Sequence, residues 1–521
     1  MGTKRDKRRK RKGHVATGAK KTEEKTVKNL DKQSRRIEQK LKEDEEDIDA
    51  ILAQIKLDEA KKTEVKIEDD CAAPSPRVHA SYTPIQLEPQ RVPMTVVFGG
   101  EYEDLATGKV LMYNDLYKYN TDKDRWTKIS SPNSPPPRSA HQMVAHRGFL
   151  YMFGGEFTSP KQDRFHHYRD LWRFDLTANE WDKLPVKGGP VGRSGHRMAV
   201  HKDKIVLFGG FTDTGLEKVR YYNDVWVFDL SSLQWSSVGK ADGFAPSPRG
   251  GSRVTVFEDR FYVYGGYSKV ADDEDGDLEH GKVQDDMWIL DLKTYKWEKV
   301  KKAGMAPSAR SGCCWAVHKR RTILFGGVTD NEAKGGETLV SEFFNELYQF
   351  NFDSRKWFPV AIRLPKGSKQ ADSDDSISAM ESAGLHKAAT LIQSRYRGYV
   401  VRKAYKLYKI GGVVSEVLYS PATYGVDLSS VNLPKPKGRI NGGMVVLKNT
   451  LWLFGGMVEV LDKEISLDDI WCFDLNKYDG WKCVRENSAG EDAFKEERDA
   501  LGSERDSSGD SSGESESDPE K

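Results

Sequence analysis

The sequence of 521 residues predicts an all-β fold built from six repeats, and three observations carry that reading. A Gly pair closes an apolar run at Gly99-Gly100, Gly154-Gly155, Gly209-Gly210, Gly265-Gly266, Gly326-Gly327 and Gly455-Gly456, as in VVFGG, YMFGG and WLFGG. About 25 to 31 residues after each pair comes a tryptophan: Trp126, Trp181, Trp235, Trp297, Trp357 and Trp481. An arginine stands ahead of each unit: Arg77, Arg138, Arg193, Arg249, Arg310 and Arg439. Short apolar runs between polar turns read as strands, and a fixed period means that one supersecondary unit recurs. Arg193 to Trp235 shows the unit plainly: two strands around a turn, the second closed by glycines, a third in NDVWVFDL, and a fourth opened by Trp. That is a four-stranded antiparallel sheet.

This pattern resembles the kelch repeat over roughly residues 75 to 485. In that family the repeats are blades of a β-propeller, so the resemblance implies a six-bladed propeller. The whole-chain layout, with its basic head, six-unit array and stretches such as FGGEF, is similar to that of the kelch domain-containing protein 4 group. Both end units look complete, so packing of blade 6 on blade 1 is enough to close the ring; a short strand added by either tail is the alternative.

Each repeated residue has an expected task. The Gly pair lets the chain leave a buried strand where a Cβ would be opposed. The pairs Asn114-Asp115, Arg169-Asp170, Asn223-Asp224, Asp285-Asp286, Asn345-Glu346 and Asp468-Asp469 open the third strand, where short polar side chains satisfy turn amides. The tryptophans cover the gap between blades. The arginines are expected to bond to backbone carbonyls between blades; a ring of them facing an anion or acidic peptide is the rival role.

Ahead of the array, residues 1–30 form a basic tail in which Lys4 to Lys12 carries eight positive side chains in nine positions. Such a run repels itself and stays unstructured alone. It serves as a solubilising tail, or as a contact for RNA or an import receptor. Residues 31–74 read as helix and linker, of coiled-coil type, with Ile48, Ile51, Leu52 and Ile55 as an apolar stripe. The formal charge of +2 gives no global attraction to nucleic acid or membrane. Five cysteines without a CxxC suggest neither a disulfide framework nor a zinc site, and fit a reducing compartment. No 18-residue apolar run occurs, and no apolar stretch follows the N-terminal charges. The expectation is therefore no transmembrane insertion, no secretion signal, and a cytoplasmic or nuclear location.

The segments after each Gly pair vary in length, read as loops sharing one face, and are rich in aromatics. Tyr102, Phe157, Phe165, Tyr168, Phe211, Tyr267, Phe343 and Phe344 mark that face as the expected protein-partner site. His141 and His196 read as packing residues, and His166 and His167 as an exposed loop pair. Asp272, Asp273, Asp275 and Asp277 lack the EF-hand order, so no metal or other cofactor is expected. No nucleophile, phosphate-loop or zinc-protease motif occurs. Cys472 and Cys483 read as buried small residues in the last blade, and the expectation is a protein that is not an enzyme.

From Trp357 to Gly455 the spacing is 98 residues, against 28 to 30 for the matching interval in earlier units, so an insert at about 366–430 interrupts the array. Within it, 385–409 has a helical pattern. Ile392-Gln393, Tyr396, Arg397-Gly398 and Arg402 resemble the IQ motif, on which calmodulin and related EF-hand proteins close. That resemblance implies Ile392 in an apolar cleft, Gln393 on the lobe backbone, the two arginines on the acidic exterior, and Gly398 permitting close approach. A helix packed on the propeller rim, or one lying on an anionic membrane or RNA, is the rival reading. The tail, 486–521, is acidic and serine-rich and expected to be disordered; Ser507, Ser511 and Ser515 each have an acid three residues on, as acidophilic kinases require. Together these features predict a non-enzymatic interaction scaffold or adaptor, possible alternatives being a ubiquitin-ligase substrate receptor and a ribosome-assembly or RNA-associated factor.

Overall fold

The computed structural model describes residues 48, 50–55, 57–59, 494, and 62–490 apart from 88–91, 163, 214–218, 239–243, 272–278, 333–338, 363–433 and 461–462. The basic head, the insert with its IQ-like helix, the acidic loop and the three serines therefore lie outside the described residues. The chain divides into two units, Met1–Lys61 and Lys62–Lys521. In the first, the described residues 48, 50–55 and 57–59 are helical and carry the stripe read from the sequence: Ile48 and Leu52 are buried, and Ile51 and Ile55 half-buried. Gln54 Nε2 donates to Asp58 one turn on, at 3.2 Å.

The second unit is a six-bladed propeller. Blades 2 to 6 are four-stranded antiparallel sheets, and blade 1 has five strands. The innermost strands are Ser81–Leu87, Gln142–His146, Arg197–His201, Arg253–Phe257, Cys314–His318 and Gly443–Leu447. The fifth strand of blade 1, Lys66–Cys71, pairs with the outermost strand, Arg125–Ser130. Its sequence, KIEDDC, has no apolar alternation because it caps a sheet edge in solvent, and that is why it was hidden inside a segment read as helix and linker.

Blade-to-blade packing follows the repeat. Each tryptophan leans on the aromatic just before the preceding blade's Gly pair: Trp181 on Phe98 at 5.0 Å, Trp235 on Phe153 at 5.4 Å, Trp297 on Phe208 at 5.7 Å, Trp357 on Tyr264 at 5.0 Å and Trp481 on Phe325 at 5.3 Å. Trp126 of blade 1 shares a core cluster with Trp452 and Phe454 of blade 6. Burying each ring contributes about 3–5 kcal/mol on the scale of large-to-small core substitutions. The ring closes by this packing, with Tyr82 stacked on Phe454 at 5.3 Å and Asn441 beside His79 at 3.0 Å. The N-terminal strand stays on its own blade and donates nothing to blade 6.

The repeated arginines do more than bond to carbonyls. In blade 3, Arg193 Nε donates to Val191 O at 3.2 Å and Nη1 to Gly209 O at 2.9 Å, while the guanidinium forks onto Asp224 at 2.6 and 2.9 Å. The same set recurs at Arg77 with Asp115, Arg138 with Asp170, Arg249 with Asp286 and Arg439 with Asp469, while Arg310 keeps the carbonyl bonds and reaches Glu346 through Nη2 alone. The second member of each acidic pair is thus the counter-ion of the arginine, and not the turn-amide acceptor expected from sequence. Only a folded sheet brings the two within reach, across 30 to 38 residues of chain. The backbone of the same arginine ties the blades together. Gly100 N–H donates to Arg138 O, Gly155 to Arg193, Gly210 to Arg249 and Gly327 to Arg439, at 2.9 to 3.0 Å. Gly99 sits at φ +64°, and a Cβ there would lie 2.6 Å from Arg138 O, so the close approach of blades demands glycine.

Breaking a pair is expected to be costly in proportion to its burial. Arg439 and Asp469 are 0% and 8% exposed, whereas Glu346, the partner of Arg310, is 51% exposed. Arg439→Ala strands a buried carboxylate, and urea unfolding is expected to show a loss of about 3–5 kcal/mol. Arg310→Ala should lose less, because water reaches Glu346; equal losses in the two variants would refute this ordering.

Candidate interaction face

Beyond each Gly pair the second and third strands continue as two-stranded ribbons rather than loops. Those of blades 1, 2, 3 and 5 are separate hairpins: Glu101–Asp104 with Lys109–Met112, Glu156–Thr158 with Phe165–His167, Phe211–Thr212 with Arg220–Tyr221, and Val328–Glu332 with Leu339–Phe343. In blades 4 and 6 they run on from the sheet through a bulge at Tyr264/Gly266 and Phe454/Gly456. Neighbouring ribbons touch in turn: Val110 N–H donates to Pro160 O, and the rings of Tyr221 and Tyr267 meet at 6.5 Å. The ribbons share one face, as the spacing implied.

The aromatics on that face are largely spoken for. Phe157 and Tyr168 are buried, and Tyr102, Phe165, Phe211, Tyr267, Phe343 and Phe344 are half-buried. Tyr168 lies against the Arg138 guanidinium at 4.0 Å and donates its hydroxyl to Pro137 O. Tyr113, Tyr222 and Phe344 cover Arg77, Arg193 and Arg310 in the same way, at 4.2, 4.2 and 3.8 Å. These rings stand two residues before the paired acid, and flank each buried cation with a π face. That register, readable once the repeats are aligned, is Gln284 and Leu467 in blades 4 and 6, whose ribbons are continuous with the sheet. The apolar side chains that do reach solvent on the blade 1 ribbon are Leu105 and Leu111, each 51% exposed, which an aromatic count passes over.

Four histidine positions and two cysteines complete the comparison with the sequence reading. His141 and His196 are buried beside Phe98 and Phe153, with their imidazoles held neutral: burial, then the charge of the neighbouring arginine, pulls His141 down to about 3 and His196 well down. His166 is exposed, but His167 is not the exposed loop residue expected. It joins blades 2 and 3 through Ser194 Oγ at 2.8 Å and the Asp213 backbone. Cys472 is half-buried and Cys483 is exposed, so the latter corrects the reading of both as buried. Lys482 and Cys483 are both exposed, because Trp481–Arg485 is the edge strand of its blade and has no further strand to cover it.

On the channel side of the face, His79 Nδ1 meets Glu101 Oε1 at 2.6 Å, and Ser139 Oγ donates to Glu101 Oε2 at 3.0 Å. Glu156 lies nearby, with His167 at 3.6 Å. Burial, reinforced by the Glu101 charge, pushes the Glu156 carboxyl up to about 8. Burial also holds His167 neutral, so this contact is not an ion pair. The tail contributes Phe494, which is buried with Val458, Ile465 and Leu467 of the blade 6 ribbon. Among the described residues no group of three His, Cys, Asp or Glu side chains converges as a metal site, all five cysteines are free thiols, and no helix is long and apolar enough to cross a membrane.

The model of the KLHDC2/KLHL20/DRC7 Kelch-repeats domain matches residues 45–210 and 87–327, together more than half of the chain. The IQ calmodulin-binding motif matches residues 386–406. The chain is 23% identical over 365 residues to the leucine-zipper-like transcriptional regulator 1 homolog of Drosophila melanogaster, covering 68% of this chain and 32% of that protein. It is 25% identical over 287 residues to human host cell factor 2, covering 51% and 33%, and 25% over 241 residues to human Kelch domain-containing protein 1, covering 42% and 55%. It thus spans a third to about half of the length of these relatives. Among solved structures, that of YjhT covers 79% of this chain and 98% of its own, at 16% identity and a TM-score of 0.46.

The raised Glu156 carboxyl has a measurable consequence. An acid whose folded pKa lies above its ordinary 4.5 favours the fold fully below that value, and the contribution is lost as pH rises to about 8. Between these limits the wild type is expected to lose stability relative to Glu156→Gln by at most about 1.4 kcal/mol per pH unit, levelling off above. Parallel pH profiles of urea midpoints for the two proteins would refute the assignment.

Proposed function

The chain belongs to the kelch-repeat family, and on that ground we propose that it is a non-enzymatic scaffold whose ribbon face holds a protein partner and whose insert loads calmodulin or a related EF-hand protein. The observation that carries this reading is the IQ match at 386–406, which coincides with the amphipathic stretch 385–409. Ile392 is assigned to the apolar cleft of the lobe, Gln393 to its backbone, and Arg397 and Arg402 to its acidic exterior, with Tyr396 and Gly398 at the second contact. Leu105 and Leu111 supply exposed apolar surface for the partner on blade 1. Phosphorylation at Ser507, Ser511 and Ser515 would deepen the negative charge of the tail and let it shield the basic head or the IQ segment from partners. A cytoplasmic or nuclear location suits this role. Similarity to the kelch domain-containing protein 4 group rests on the layout of head, array and tail. Recruitment to RNA through Lys4 to Lys12 is a second reading, favoured by the density of positive charge there.

Calmodulin titrated against the full chain, with and without calcium, is expected to bind at micromolar or lower concentration. The Ile392→Asp, Arg397→Glu double variant should lose at least tenfold. Absence of binding in both calcium states would remove the EF-hand partner from the proposal.

A further inference from the structure

The six innermost strands line a half-open cavity of about 180 Å³ on the propeller axis. At one register position, four residues after each repeated arginine, the blades present Ser81, Gln142, Arg197, Arg253, Cys314 and Gly443. Two adjacent blades therefore place guanidinium groups in the same small space. Unlike the six repeated arginines, neither has a carboxylate partner among the described residues. Arg197 donates to the His196 carbonyl at 2.9 Å, and the buried Arg253 Nε has no hydrogen-bond partner. Trp315, which also lines the cavity, buries an indole Nε1 without an acceptor.

The acids that open the blade 1 and blade 2 ribbons do not supply the missing charge. Glu101 is taken by His79 and Ser139, and Glu156 is pushed up to about 8 by burial, so it is mostly neutral at pH 7. Arg197 is itself pulled down, first by burial and then by the charge of Arg253. Two like charges facing one another without a counter-ion leave a strong attraction for any oxyanion that enters, and the planar fork of arginine matches carboxylate and phosphate geometry. A space of this size equals about six water volumes, enough for one such group on a small molecule and too little for a folded segment.

We infer that the axial cavity is an oxyanion site, in which Arg197 and Arg253 jointly bind the phosphate or carboxylate group of a small ligand. The site lies on the inner strands at the base of the ribbons, and neither the partner-face reading nor the calmodulin reading depends on it.

The test uses the full chain with inorganic phosphate and with succinate, each against sodium chloride at matched ionic strength. The melting temperature is expected to climb with the logarithm of phosphate or succinate concentration, beyond the chloride control. Arg253→Gln and Arg197→Gln should each weaken binding at least tenfold, while folding as stably as the wild type without anion because a like-charge contact is relieved. Equilibrium dialysis of the wild type against labelled phosphate and labelled succinate needs no variant: one bound anion of either kind per chain supports the site. No anion-specific shift and no bound anion of either kind would overturn it, as would binding unchanged in both variants.

Discussion

The fold depends on the arginine that opens each repeat, because that residue is bonded to two blades at once. Its side chain closes its own blade, joining the Gly-pair carbonyl to the acid that starts the third strand. At Arg138, Arg193, Arg249 and Arg439 its backbone carbonyl also accepts from the second glycine of the preceding blade. A guanidinium this deeply buried is tolerable only with every donor matched and the charge paired. The requirement explains its neighbours: glycine where backbone must come within contact distance, an acid at fixed register, and a ring over the cation.

The same requirement shapes the ribbon face. The aromatics that look surplus in the sequence are held by the arginines beneath them, with Tyr168 and Phe344 as the clearest cases. Ribbons anchored in this way rise from a rigid base, and their exposed apolar content shifts to aliphatic residues such as Leu105 and Leu111. His167 ties the blade 2 ribbon to blade 3 at the same level, through Ser194 and the Asp213 backbone.

Arg197 and Arg253 show what happens when the pairing rule is not met. They come from the same motif as the structural arginines, four residues later, yet face an axis on which the described blades supply no carboxylate. Burial without a counter-ion distinguishes them, and residue type alone does not.

The amino-acid sequence by itself determined the number of blades, the order of strands, the interblade role of the tryptophans and the IQ segment, because each is written as a local period or a short contiguous motif. Tertiary structure alone decided the partners across blades. That Asp224 belongs to Arg193, that Tyr168 lies on Arg138, that His167 is bridged and Cys483 exposed, all depend on contacts between residues 27 or more apart or on an edge strand's exposure to water. The strand Lys66–Cys71 was illegible for a related reason: it is held by backbone hydrogen bonds to an existing edge, and backbone pairing of that kind leaves no pattern in its side chains.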